Sequence, residues 1–295
     1  MIPITVIAGP TASGKTALAV AWAERTGAEI VSADSQQVYR RFDIGTGKPS
    51  PEERARAVHH LISVVDPTDA FSAARYQQLA DAAIADIHAR GRPVLVVGGT
   101  GLYLRVLLRG VMPGPEADPA WRAKLAAEAQ ALGWPALHRR LAEVDPDSAR
   151  TIAAADPVRI TRALEIYAKT GGTASQARRA HGFAAQRYDA RYLVLDPPRA
   201  ELYAAIEARV GRMFDGGLLE EVGALAAEGL AETAPMRSVG YAQALRVVRG
   251  EWTPQQARAE VVQATRRYAK RQGTWFRKEP GVERAEPPFE RLLPR

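Results

Sequence analysis

The 295-residue sequence contains no cysteine, which excludes a disulfide framework and any thiolate-bound metal centre. It also lacks an apolar run long enough to span a bilayer, and Met1-Ile2-Pro3 opens onto a short β-type run with no basic leader. A cytoplasmic protein that does not engage a membrane is therefore expected. Internal repeats and low-complexity tracts are missing as well, which leaves ordinary folded domains. His59-His60 stand without cysteine or carboxylate at ligand spacing, so strand-end packing is expected of them. No N-K-x-D sequence that would read guanine is present, which counts against a nucleotide switch.

Positive charge is in surplus. Forty Lys and Arg face 33 Asp and Glu, a formal net charge of +7, which favours a polyanionic partner. The stretch that organises the rest comes first. Residues 4–8 form an apolar, β-branched run, followed by Gly9-Pro10-Thr11-Ala12-Ser13-Gly14-Lys15-Thr16 and a helical pattern over 17–25. Strand, glycine-bounded loop and helix in that order meet the context required of a G-x-x-x-x-G-K-[ST] phosphate loop. Gly9 and Gly14 let successive backbone N–H groups turn inward, and the helix N-terminus adds unpaired donors and a positive dipole end. Lys15 supplies a point charge for terminal phosphates, and the Thr16 hydroxyl is placed to hold Mg²⁺.

Further strands are expected at 29–33, 59–65, 94–97 and 191–195, with helices at 72–90, 102–109, 199–214, 218–228, 238–248 and 253–277. Alternating strands and helices imply a parallel sheet with right-handed crossovers, the α/β class with a P-loop NTPase-like core. After Pro113-Gly114-Pro115 only helical patterns appear, to about residue 179, so an all-helical insertion interrupts the sheet. The expected domains are a discontinuous core, 1–115 with 188–295, and an insertion at 116–187. The proline- and charge-rich tail, 279–295, is expected to be irregular.

Ligands of such sheets sit at the carboxyl ends of strands. Asp34 stands there, suited either to hold Mg²⁺ through water or to act as general base, with a turn cap as the structural alternative. Ser35, Gln36 and Gln37 follow it and can read a nucleobase edge. Thr100, between glycines, can present a hydroxyl or simply make a tight turn. Arg209 and Arg212 lie at i, i+3 and can clamp phosphate. Arg159 and Arg162 repeat that spacing at a helix N-terminus, where cations are unfavourable unless an anion offsets the dipole. The last long helix interleaves Arg266, Arg267, Lys270, Arg271, Arg277 and Lys278 with Tyr268, Trp275 and Phe276, the makeup of a surface for unpaired RNA or of an amphipathic helix with a buried face. Two classes of function compete: a small-molecule or nucleotide kinase, and a transferase acting on nucleic acid. The arginine-rich lid expected of the kinase is absent, and the basic helix exceeds what a small acceptor needs.

The phosphate loop, Asp34-Ser35-Gln36-Gln37-Val38-Tyr39, Asp43-Ile44-Gly45-Thr46-Gly47-Lys48-Pro49, Gly98-Gly99-Thr100-Gly101-Leu102-Tyr103 and Ser238-Val239-Gly240-Tyr241 together resemble the bacterial tRNA dimethylallyltransferase family. The likeness runs through nearly the whole chain, in order. Gly47 departs from the alanine expected there, and Ser63 from an aspartate. The zinc-finger extension of eukaryotic relatives is absent.

The resemblance implies transfer of a dimethylallyl group from its diphosphate to N6 of the adenosine 3′-adjacent to the anticodon, in tRNAs reading codons that begin with U. It implies that the loop from Gly9 to Thr16 binds the prenyl diphosphate, with Mg²⁺ at Thr16 and Arg209 assisting Lys15. It implies that Asp34 deprotonates N6, that Thr100 orients the reacting centre and that Ser35, Gln36 and Gln37 read a flipped base. Positions implied to contact tRNA are Thr100, Arg122, Val158, Arg159, Ile160, Thr161, Arg162, Arg237, Ser238, Val239, Gly240 and Tyr241. A monomer is expected to bind the anticodon stem-loop.

Overall fold

The computed structural model describes residues 1–294. β1 (Pro3–Ala8) leads into α1 (Lys15–Thr26), β2 (Glu29–Ser32), α2 (Pro51–Arg56), β3 (His59–His60), α3 (Ala73–Ala89), β4 (Val94–Gly98) and α4 (Gly101–Arg109). Five helices follow: α5 (Pro119–Leu132), α6 (Trp134–Val144), α7 (Pro146–Thr151), α8 (Pro157–Thr170) and α9 (Ala174–His181). The chain then makes β5 (Asp189–Leu195), α10 (Arg199–Asp215), α11 (Leu218–Ala227), α12 (Tyr241–Val248), α13 (Pro254–Arg277) and β6 (Glu283–Ala285). The strands form one parallel sheet in the order β3-β2-β4-β1-β5-β6. Among the described residues no helix is long and apolar enough to cross a membrane.

Helices cover both faces of this sheet, and its central strands β1 and β4 are accordingly apolar at all but one position, Thr5. Ile4, Val6 and Ala8 of β1 with Val94 and Val96 of β4 pack under α3 and α4, against Tyr76, Ile84 and Leu104. Ile7, Leu95 and Val97 face the other way, against Leu18, Val20 and Trp22 of α1. The pairing Ala8↔Gly98 places the loops that follow β1 and β4 side by side. Beyond the strand ends a third cluster forms from Val38, Phe42, Val222, Tyr241 and Leu245.

Three expectations are corrected. The strand expected over 59–65 is only two residues long, because Leu61 and Ser63 adopt φ of 62° and 55° and turn the chain out of the sheet. Val65 returns to a single parallel bridge with Tyr39. The tail is not irregular throughout: Glu283–Ala285 adds an edge strand to β5, and Phe289–Leu292 forms a 3₁₀ turn. That edge carries charge, as exposed edges do, with Glu283 paired to Arg191 at 3.1 Å. The helix expected from residue 238 starts at Tyr241, after a 3₁₀ turn over Pro235–Arg237.

The chain divides into two compact units: Met1–Leu108 with the chain from Gln186 onward, and Arg109–Ala185. In the second unit three Asp-Pro pairs start helices. Asp118, Asp145 and Asp156 each accept a hydrogen bond from the N–H three residues on, at 3.0 Å, with proline at the first helical position where no N–H is needed. Leu137, Leu141, Ile160 and Leu164 form its core.

Candidate active site

The phosphate loop begins at Gly9, where β1 ends, and enters α1 at Gly14. No side chain caps the start of α1, so its first N–H groups remain open to an anion. Lys15 folds back over the loop, its ammonium donating to the carbonyls of Gly9 at 3.0 Å and Pro10 at 2.7 Å. Burial, then repulsion by Arg209, lowers its pKa from 10.5 to about 7, against the pull of Asp34. The Thr16 hydroxyl makes no hydrogen bond among the described residues, unlike Thr26 and Thr46, which bond to carbonyls four residues back. Thr16 and Lys15 share a cleft with Ser32, Asp34 and Gln37, whose other walls include the apolar Ala19, Ile30, Ile62 and Val97.

Asp34 follows β2. Its Oδ1 accepts from the N–H groups of Gln36 at 2.8 Å and Gln37 at 3.2 Å, while Oδ2 makes no hydrogen bond among the described residues. The turn-cap alternative is therefore true of one oxygen and leaves the other for chemistry. The Thr100 hydroxyl accepts from Ser35 N at 3.1 Å, and Thr100 N donates to Ala33 O at 3.2 Å, which ties the Gly98–Gly101 turn to the Asp34 turn. Gln37 donates to Gly47 O at 3.0 Å, so its amide holds a neighbouring loop.

That loop, 43–49, carries Arg209 against it. The guanidinium donates to Thr46 O at 3.2 Å. Gly47, at φ +59°, admits it: an added Cβ would lie 2.1 Å from Arg209 Nη2. Burial lowers the pKa of Arg209, with Asp34 opposing and Arg212 adding to the shift. Arg212, expected beside it, is exposed. Behind the loop the Lys48 ammonium meets Tyr39 O, Asp43 Oδ1 at 2.6 Å and Ser63 Oγ at 2.8 Å. Glu221 accepts from Ile44 N at 3.0 Å and from the Tyr241 hydroxyl, which in turn accepts from Gly45 N at 3.1 Å.

The structure thus gathers Lys15, Thr16, Asp34, Thr100 and Arg209 around the ends of β1, β2 and β4. Other expected site residues are placed differently. Tyr241 is fully buried on Phe42, and Gly240 is buried beside it, so both support the 43–49 loop. Ile160 is likewise buried, in the core of the helical unit. Val158, Arg159 and Arg237 are exposed; Thr161, Arg162, Ser238 and Val239 are half-buried. Arg122 and Arg162 both bind Glu165, which is fully buried and also accepts from Asp118 N at 2.9 Å. Asp156 stands 3.5 Å from Arg159. Carboxylates of the protein therefore supply the anions that the helix N-terminus was expected to find in a phosphate.

Sequence reasoning missed three contributors. His59 is not simple strand packing: its Nε2 is buried without a partner and the residue lines the cleft. Tyr268 of α13 lies close to Thr100 and Asp34, and burial drives its phenol pKa up. Gln272, one turn on, reaches the phosphate loop itself. Helical spacing marks 268 and 272 as one face, but nothing in the sequence says what that face meets. Phe276, by contrast, is core. Among the described residues no group of His, Asp and Glu could hold a metal on its own.

Fold and site define an enzyme of the P-loop NTPase-like class, with a carboxylate and a hydroxyl at the strand ends beside the phosphate loop. The chain belongs to the IPP transferase family, whose model matches residues 37–279. It is 61% identical over 291 residues to a tRNA dimethylallyltransferase of Myxococcus xanthus, covering 99% of this chain and 94% of that protein. The crystal structure of the full-length tRNA isopentenylpyrophosphate transferase of Bacillus halodurans matches with TM-score 0.71 at 36% identity, covering 97% of this chain and 90% of that one. A eukaryotic dimethylallyltransferase acting on tRNA matches with TM-score 0.81 at 26% identity, over 97% of this chain and 74% of that one. These relatives set the kinase alternative aside.

Proposed function

We propose that this enzyme transfers the dimethylallyl group of dimethylallyl diphosphate to N6 of the adenosine 3′-adjacent to the anticodon, in cytoplasmic tRNAs that read codons beginning with U. One observation carries the donor assignment. Lys15 and Arg209 are half-buried cations that repel each other and, among the described residues, pair with no carboxylate, beside an uncapped helix N-terminus. A diphosphate answers that surplus.

In the proposed reaction the allylic C1–O bond breaks as N6 bonds to C1, and the electron pair of the broken bond leaves on diphosphate. Lys15, Arg209 and the N–H groups of α1 stabilise that charge. Asp34 Oδ2 takes the proton from N6. Thr100, held by Ser35 N–H, orients the acceptor side. The apolar walls Ala19, Ile30, Ile62 and Val97 suit the prenyl group, and ATP is expected to be neither hydrolysed nor required. Thr16, with its uncommitted hydroxyl, would hold Mg²⁺, and Asp34 is the carboxylate that could assist it. When bound, Mg²⁺ neutralises the diphosphate. Exposed Val158, Arg159 and Arg237 and the charged face of α13 are the proposed RNA contacts.

The test is incubation with tRNA and labelled donor, then digestion to nucleosides. N6-(dimethylallyl)adenosine is expected, with Asp34→Asn lowering turnover by roughly 10²–10⁴ while both substrates still bind. γ-Phosphoryl transfer from ATP without prenylation of tRNA would overturn the assignment.

A further inference from the structure

α13 presents Tyr268, Gln272 and Trp275, at i, i+4 and i+7, to the strand ends of the sheet. Gln272 is 7% exposed and bridges the two loops of the site. Its Oε1 accepts from Thr11 N at 2.8 Å, in the phosphate loop, and its Nε2 donates to Gly99 O at 2.9 Å, in the turn that carries Thr100. One partner is an N–H and the other a carbonyl, so the amide has a single satisfactory orientation. The approach is close: a Cβ on Gly99 would lie 2.3 Å from Nε2. Tyr268 lies near Thr100 one turn earlier, and the Trp275 ring lies over Gly101 one turn later.

β1 and β4 pair only as far as Ala8↔Gly98. Beyond that point no ladder hydrogen bond links the phosphate loop to the acceptor turn, and Gln272 takes over the connection. We infer that Gln272 is a positioning residue, which sets the register between the diphosphate cradle and the Asp34–Thr100 acceptor side. This rests on the prenyl-transfer reading above. The physical requirement is distance. C1 of the donor and N6 of the acceptor must meet in line, and a misplacement of about 1 Å costs roughly a hundredfold in rate. Each half of the site would survive loss of the bridge, since the cradle is built within residues 9–16 and Thr100 keeps Ser35 N. What is lost is their alignment. The Thr11 N–H, committed to Gln272, is also removed from the donors that can face phosphate.

Gln272→Met keeps length and bulk and removes both hydrogen bonds; Gln272→Glu keeps the acceptor for Thr11 N but sets an oxygen against Gly99 O. For both, kcat is expected to fall about 10- to 100-fold. The KM for donor, and the dissociation constants for pyrophosphate and tRNA, should stay within about threefold, since neither binding half has changed. In Gln272→Met, faster hydrogen exchange in the peptide carrying Thr11 is expected, and this readout does not depend on the reaction. An unchanged kcat in Gln272→Met would overturn the inference. So would parallel loss of pyrophosphate binding, tRNA binding and Tm, which would make Gln272 merely structural. Failure of the wild-type enzyme to prenylate tRNA would count against the reaction, while the exchange measurement would still judge the bridge.

Discussion

Lys15 concentrates the electrostatics of the site in one residue. Among the described residues its ammonium has no carboxylate partner and rests on two loop carbonyls, so burial and Arg209 hold its pKa near 7 instead of 10.5. Between those values the folded protein binds fewer protons than the unfolded chain, so this residue's contribution to stability rises with pH over that window and is smallest below it. Binding runs the other way. The charged form attracts the diphosphate, and above pH 7 the free enzyme loses it. The kcat/KM for donor is therefore expected to fall as pH rises through about 7. Lys15→Arg should abolish that limb of the profile, because guanidinium stays charged. A profile unchanged in Lys15→Arg would remove Lys15 as its cause.

At the scale of the element, the 43–49 loop shows how an irregular segment is made rigid. Lys48 and Gln37 bond from within it or close beside it, and Glu221, Tyr241 and Arg209 bond to it from elements distant in sequence. Its rigidity matters because Arg209 is positioned by Thr46 O. Tyr241→Phe removes a buried hydroxyl that serves Gly45 N and Glu221. A loss of about 1–3 kcal/mol is expected. It should be seen as a lower urea midpoint at unchanged m, with a higher KM for donor as Arg209 loosens. A normal midpoint would show that the phenol adds nothing to the loop.

For the whole molecule the governing quantity is the charge of +7. tRNA binding is expected to weaken steeply with salt. The structure narrows which cations contribute. Arg122 and Arg162 are engaged by the buried Glu165, whereas Arg159, beside the partly exposed Asp156, and Arg271 lie exposed. Charge reversal at Arg159 and Arg271 should raise the KM for tRNA and spare donor binding. It should also reduce the slope of log K against log salt by about 0.7–0.9 for each phosphate no longer neutralised. A filter-binding titration with no change in slope would move the RNA surface elsewhere.

Local physics explains what the sequence determined alone. A β-branched run, a glycine-bounded loop and a helix are contiguous, so the strand–loop–helix unit of residues 3–26 is legible from the sequence. Asp-Pro pairs start helices where expected, because a cap needs only its own next three residues. Asp34 is placed at a strand end by the same reasoning, but that one carboxylate oxygen serves the turn while the other stays uncommitted is a matter of three-dimensional neighbours. Tertiary structure alone decided the rest. Leu61 and Ser63 break an apolar pattern that reads as strand, and the charged 283–285 segment becomes one because β5 offers an unpaired edge. Tyr241 is buried and Arg122 is paired by groups far along the chain. Gln272 meets Thr11 across 261 residues and Gly99 across 173. Bonds of that range are fixed by how the sheet and helices pack, and periodicity along one helix carries no record of its partner.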